Sequence, residues 1–133
     1  MLSLIVRRSR WRSIHETSGL NENGYIRDAL RQIPCGLFVM TSAHENARYG
    51  LLARWVQPCS YDPPLVMAAI STGMPIESII RDSRAFALCQ ISDEDRLLRK
   101  RFAAPPDRSE DPFITLPHRV AATGSPVIER ALM

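Results

Sequence analysis

The stretch Ala29–Leu–Arg–Gln–Ile–Pro–Cys–Gly–Leu–Phe–Val–Met–Thr41 decides how the chain is read. Upstream of it, Ile26, Ala29, Leu30 and Ile33 recur at i, i+3, i+4 and i+7, the apolar stripe of a short amphipathic helix. Asn21, Asn23 and Gly24 offer a turn and cap before that helix. Pro34 ends it, because its ring cannot continue the backbone hydrogen bonding. Gly36–Ser42 is then dense in Leu, Phe, Val and Met and too short for an independent helix, so it reads as a strand. A helix feeding directly into a buried strand is the frame for everything downstream.

Beyond His44–Glu45–Asn46, a polar turn, Gly50–Gln57 reads as a second strand. Alternation places Leu51, Ala53 and Trp55 on one face and Leu52, Arg54 and Val56 on the other. Tyr61–Asp62–Pro63–Pro64 interrupts regular structure, with Pro64 holding Pro63 extended. Leu65–Ile70 is continuously apolar, as expected of a strand covered on both sides. Pro75 suits the first position of a helix, whose buried face is Ile76, Ile79 and Ile80 and whose end is Arg81–Ser83. Ala85–Ile91 is a further strand. Ser92 and Asp95 approximate a capping box that opens a helix over Glu94–Phe102, burying Leu97, Leu98 and Phe102. Prolines and charges make Ala103–Pro126 an extended loop, and Val127–Met133 starts another apolar element. Short connections between the strands favour antiparallel pairing over an alternating parallel α/β fold.

With 133 residues the chain suits one domain. The formal charge is +3, but Arg7, Arg8, Arg10 and Arg12 supply four positives, leaving the rest of the chain at −1. The basic balance therefore belongs to an expected flexible, Arg-rich N-terminal tail over residues 1–24, with the domain at 25–133. The tail's acid-free, Arg- and Ser-rich composition resembles a transit peptide; a solvated tail or a mistaken start codon is the preferred reading. The folded part lacks a Lys/Arg stripe with stacking aromatics, which excludes a nucleic-acid partner. No apolar run approaches the roughly 20 residues that span a bilayer, so no membrane partner is expected.

Cys35, Cys59 and Cys89 are widely spaced, with no CxxC and no zinc spacing. They are expected as buried, reduced thiols, which points to a cytoplasmic location. His15, His44 and His118 sit in polar contexts and are expected at the surface; no metal site is expected. Neither a GxGxxG nor a P-loop is present.

Taken in order, six segments resemble the flavin-reductase-like FMN-binding split-barrel family. They are Ala29–Thr41; Tyr49–Gly50 with Ala53–Val56; Ser60–Tyr–Asp–Pro–Pro–Leu–Val66; Ile79–Leu88; Lys100–Ala103; and Thr123–Val127. The resemblance implies an α+β, largely β fold, a Greek-key split barrel with short helices. It also implies a homodimer binding FMN near its interface. Hydride passes from NAD(P)H to the isoalloxazine, and the reduced flavin serves a partner monooxygenase or another acceptor. A flavin carries the difficult chemistry itself, so no particular catalytic side chain is assigned.

By the same resemblance the flavin-contacting positions are Ala53, Arg54, Trp55, Cys59, Ser60, Ser71 and Thr72. The Ser71–Thr72–Gly73 turn before the Pro75 helix would suit a phosphate, with Arg101 as an additional positive charge. Three departures from the family pattern stand out. Arg54 replaces a small Ser, Thr or Asn; Pro75–Ile76 replaces a Thr–His pair; and the strands that finish the family's barrel are expected beyond Met133, so the domain reads as partial. A non-catalytic flavin-binding module and a truncated, inactive family member are therefore the alternatives to an NAD(P)H:flavin oxidoreductase.

Overall fold

The computed structural model describes residues 22–104 and 111–133. Most of the expected tail, and His15 with it, lies outside them. The first helix, α1 (Glu22–Arg31), begins within the stretch read as turn and cap. Three strands follow: β1 (Phe38–His44), β2 (Ala47–Ala53) and β3 (Val56–Tyr61). Then come β4 (Pro64–Ala68), α2 (Pro75–Ser83), β5 (Ala87–Gln90) and α3 (Arg96–Ala103). Two short strands, β6 (His118–Val120) and β7 (Pro126–Ile128), end the series.

Every strand pair is antiparallel. The central sheet has the order β2-β1-β5, and β3-β4 and β6-β7 are hairpins. In β1 the period of two is visible in what each residue buries. Val39 joins a core with Leu98, Phe102, Phe113 and Ile128, while Met40 joins another with Leu51, Ile76 and Ile80. Thr41 and Ser42 are fully buried and continue the alternation. Thr41 donates its hydroxyl to the Pro126 carbonyl, and Ser42 donates to the Ala85 carbonyl at 2.8 Å. Each buried hydroxyl thus ties the central strand to a different neighbour, which removes the cost of burying it unpaired.

Gly50 is required by packing. A Cβ there would lie 2.6 Å from Phe102 Cε1 and 3.2 Å from Phe113 Cζ. Those two rings approach at 5.8 Å between centroids directly over the β2 backbone. The helix ends are also made locally. Asp95, rather than Ser92, caps α3, accepting from the Leu98 N–H at 3.1 Å and pairing with Arg130 at 3.0 Å. Arg84 closes α2 in the left-handed region at φ 55°.

The structure corrects several expectations. Gly50–Gln57 is not one strand. Pairing with β1 ends at Ala53 and pairing with β4 begins at Val56, so Arg54 and Trp55 form a two-residue link. That break puts Val56 in the same core as Ala53 and turns Trp55 outward. Leu65–Ile70 is not covered on both sides: Leu65 and Met67 are exposed on β4, since the β3-β4 pair is a separate two-stranded sheet. Leu97 faces solvent, because the helix frame set by Asp95 directs Leu98 and Phe102 inward. The apolar stripe Ile26, Leu30 and Ile33 is exposed.

The stretch read as an extended loop contains β6 and the turn into β7, while Val127 and Ile128 of β7 fall in the apolar element expected from Val127 onward. Phe113 and Leu116 anchor the hairpin in the core, a long-range contact that local proline content does not reveal. Finally, Leu132 N–H donates to the Gln90 carbonyl at 2.7 Å, and Gln90 N–H donates to the Met133 carbonyl at 2.9 Å, along the outer edge of β5.

Candidate functional site

Where β2 stops and β3 starts, the chain is held on three sides. Ala53 pairs with Phe38, Val56 pairs with Ala68, and the Ala69 N–H donates to the Trp55 carbonyl at 2.9 Å. The link backbone is fixed while both of its side chains are exposed, Trp55 at 62%. Beside it opens a cleft of about 430 Å³. Its apolar walls include Leu51, Leu52, Ile70, Met74 and Phe102, with Trp55 at its edge. Among the described residues of this lining, Arg54 is the only charged one and Ser71 the only hydroxyl. Pockets of this size and character, mostly apolar with few polar groups, suit a small organic ligand. The apolar walls suit a planar apolar body, and the single cation of the described lining an anionic arm.

Across the link lies a second, larger cleft of about 860 Å³, lined by Ile26, Leu30, Ile33 and Cys35 together with Arg54 and Trp55. The two link residues therefore form a wall common to both. A smaller recess of about 200 Å³ joins Trp55 to Met67 on β4.

Of the positions expected to contact flavin, Ala53, Arg54, Trp55 and Ser71 converge on the first cleft. Cys59, Ser60, Thr72 and Arg101 are not in its lining. Cys59 is exposed on β3, and Ser60 donates to the Asp62 carbonyl at 3.0 Å within its own hairpin. Thr72 is exposed in the turn before α2. In that turn the Gly73 N–H donates to Glu77 Oε2 at 3.0 Å, so a carboxylate already takes one of the donors that a phosphate would use. Arg101 binds the Pro112 carbonyl at 2.9 Å and Thr115 Oγ1 at 3.0 Å. It fastens α3 to the segment after residue 110.

Sequence reasoning missed Leu51, Leu52, Ile70, Met74 and Phe102 as cleft walls. Ile70 and Met74 carry a usable signal, since they flank the Ser71–Thr72–Gly73 turn; Phe102 carries none, as its helix arrives from a distant part of the chain.

The thiols and the histidines also differ from expectation. Cys35 and Cys59 are exposed, and only Cys89 is buried. Burial pushes the Cys89 thiol above its ordinary value; the Ile128 N–H donated to its sulfur and the nearby Arg119 charge offset that only in part. His118 is half-buried rather than solvated. Its Nδ1 lies 2.8 Å from the Leu116 carbonyl, its Nε2 lies 3.1 Å from Arg48 Nη1, and its ring meets Phe113 edge-on at 5.4 Å. Because a carbonyl only accepts, Nδ1 carries the proton and Nε2 accepts from Arg48. Arg48 also pairs with Asp111, so this cluster clasps the β6-β7 segment to β2. Among the described residues no cluster of His, Cys, Asp and Glu is arranged to hold a metal ion, and no helix is long and apolar enough to cross a membrane.

The antiparallel sheets, the linked clefts and the apolar walls define a class. The chain belongs to the flavin reductase-like family: the Flavin reductase like domain matches residues 30–133. Among particular relatives, diflavin flavoprotein A 1 of Synechocystis is 27% identical over 108 residues, which is 80% of this chain and 19% of that protein. The chain thus spans about a fifth of the length of the curated relatives it matches. The nitrilotriacetate monooxygenase component B homologue of Mycobacterium thermoresistibile superimposes with a TM-score of 0.72. It is 25% identical, over 84% of this chain and 60% of that one. An NADH:FAD oxidoreductase of Streptomyces globisporus shares the fold with a TM-score of 0.73 at 21% identity, over 88% of this chain and 70% of that one.

Proposed function

We propose that this chain binds FMN in the cleft beside the Arg54–Trp55 link and serves as an NAD(P)H:flavin oxidoreductase. The observation that carries the reading is convergence: four positions singled out from sequence, Ala53, Arg54, Trp55 and Ser71, line one cleft with apolar walls. The flavin supplies the hydride-accepting chemistry when bound. This chain's own residues do the rest. Leu51, Leu52 and Phe102 exclude water from an apolar ring, the fixed backbone of the link orients it, and Arg54 meets negative charge. Cys59, Ser60, Thr72 and Arg101 stand outside this proposed contact set in the single chain.

The larger cleft on the other side of the link offers room for the nicotinamide nucleotide. An exposed apolar surface of Ile26, Leu30, Trp55 and Met67 beside both clefts supports a homodimer, with a monooxygenase or another acceptor drawing on the reduced flavin. All three cysteines are free, in keeping with a reducing cytoplasmic setting.

Purified protein is expected to quench FMN fluorescence saturably and to oxidise NADH or NADPH when flavin is present. Bound yellow flavin that neither nucleotide bleaches would select a non-catalytic flavin-binding module. Failure to quench at high protein concentration would contradict both.

A further inference from the structure

Among the described residues, the first cleft has apolar walls and a single charged lining residue, and that residue has no partner. Arg54 makes no ion pair or side-chain hydrogen bond among the described residues, unlike Arg48, Arg81 and Arg130, which pair with Asp111, Glu77 and Asp95. Two rival anion sites near the cleft are already engaged. The turn before α2 gives its Gly73 N–H to Glu77, and Arg101 is spent on Pro112 and Thr115. A negatively charged arm of a ligand lying against Leu51, Ile70 and Phe102 therefore finds one available cation among the described lining residues. Its anchor is also rigid. Backbone pairing at Ala53 and Val56 and the Ala69-to-Trp55 hydrogen bond hold the link in place, so little backbone ordering is needed on binding.

Resting on the proposed flavin reading and sharpening it, we propose that Arg54 is the specificity residue of this cleft. Its planar guanidinium fork takes the ligand's terminal phosphate, so the protein selects a phosphorylated flavin over the uncharged one. A guanidinium matches a phosphate with two parallel N–H donors, which a hydroxyl of Ser or Thr at the same position cannot do. Because Arg54 is exposed, the attraction is screened by salt. The discrimination is therefore strongest at low ionic strength and shrinks as salt is added. Riboflavin has the same ring system and ribityl chain without the phosphate, and it isolates this one contact.

The test is a fluorescence titration of the whole chain with FMN and with riboflavin, at low and high salt, for the wild type, Arg54→Gln and Arg54→Lys. Circular dichroism confirms that each variant is folded, which the lack of a partner for Arg54 among the described residues leads us to expect. The wild type is expected to bind FMN about tenfold tighter than riboflavin at low salt, the size of one charge-assisted contact. Arg54→Gln is expected to abolish the roughly tenfold ratio between FMN and riboflavin affinities measured on the same variant, and Arg54→Lys to keep part of that ratio. Equal wild-type affinities, or an Arg54→Gln variant that holds FMN as tightly as or tighter than the wild type, would overturn the role of Arg54 and leave the flavin reading standing. Binding of neither flavin would overturn both.

Discussion

The β6-β7 face and the Arg54–Trp55 face flank the same sheet and are finished in opposite ways. On the first, Phe113 and Ile128 are almost wholly buried, and Thr41 reaches across to the Pro126 carbonyl. Asp95 holds both a helix end and Arg130, and His118 fills the space between Arg48 and Phe113. Most polar atoms there are matched within the chain, the buried Ser125 hydroxyl being an exception among the described residues. On the second, Trp55 and Met67 stand 62% and 59% exposed, and Arg54 is unpaired among the described residues. One face spends its side chains on stability. The other pairs its backbone yet leaves these side chains exposed, as the proposed contact with a ligand or a second subunit requires.

Mutations should separate the two faces. Phe113→Ala removes a ring packed on Phe102 and His118, and a loss of about 3–5 kcal/mol is expected in urea unfolding. Gly50→Ala drives a methyl group into the same pair of rings, with an expected loss of about 1–3 kcal/mol by the same measurement. Asp95→Ala removes the α3 cap and the Arg130 partner, which should cost about 1–2 kcal/mol. Trp55→Ala, on the open face, should change stability by no more than about 0.5 kcal/mol while weakening FMN binding about fivefold to tenfold. A large stability loss from Trp55→Ala, or none from Phe113→Ala, would erase the contrast.

The smallest effect concerns Cys89. Burial raises its folded-state pKa above 9.0, so the folded protein holds that proton more tightly than the unfolded chain. The stabilisation is complete below the unfolded value and is lost as pH rises through the folded one. Unfolding experiments from pH 7 to 10.5 should therefore show stability falling above about pH 9, with a shallower fall in Cys89→Ala. A thiol reagent should label Cys35 and Cys59 in the native protein and Cys89 only after unfolding.

Local signals in the sequence reached far on some elements and stopped short on others. The β1 segment, the Pro75 start of α2 and the turn at Asp62–Pro63 were legible because sterics and short-range periodicity set them. Resemblance singled out Ala53, Arg54, Trp55 and Ser71, and these four line one cleft. The break of the strand at Arg54 was not, since alternation runs through it unperturbed and only the change of pairing partner from β1 to β4 creates it. The β6-β7 hairpin was hidden because its anchors, Phe113 and Leu116, find their places through residues remote in the chain. The exposure of Cys35 and Cys59 was hidden for a related reason. Cysteine is small enough to suit either side of a surface, so its type alone does not decide.

Amide chemical-shift mapping on the labelled protein during FMN titration tests the account most directly. Saturable changes concentrated at residues 51–55 and 69–74, with the 113–131 segment unmoved, are the predicted result. Changes centred on the β6-β7 face, or no saturable change anywhere, would contradict it.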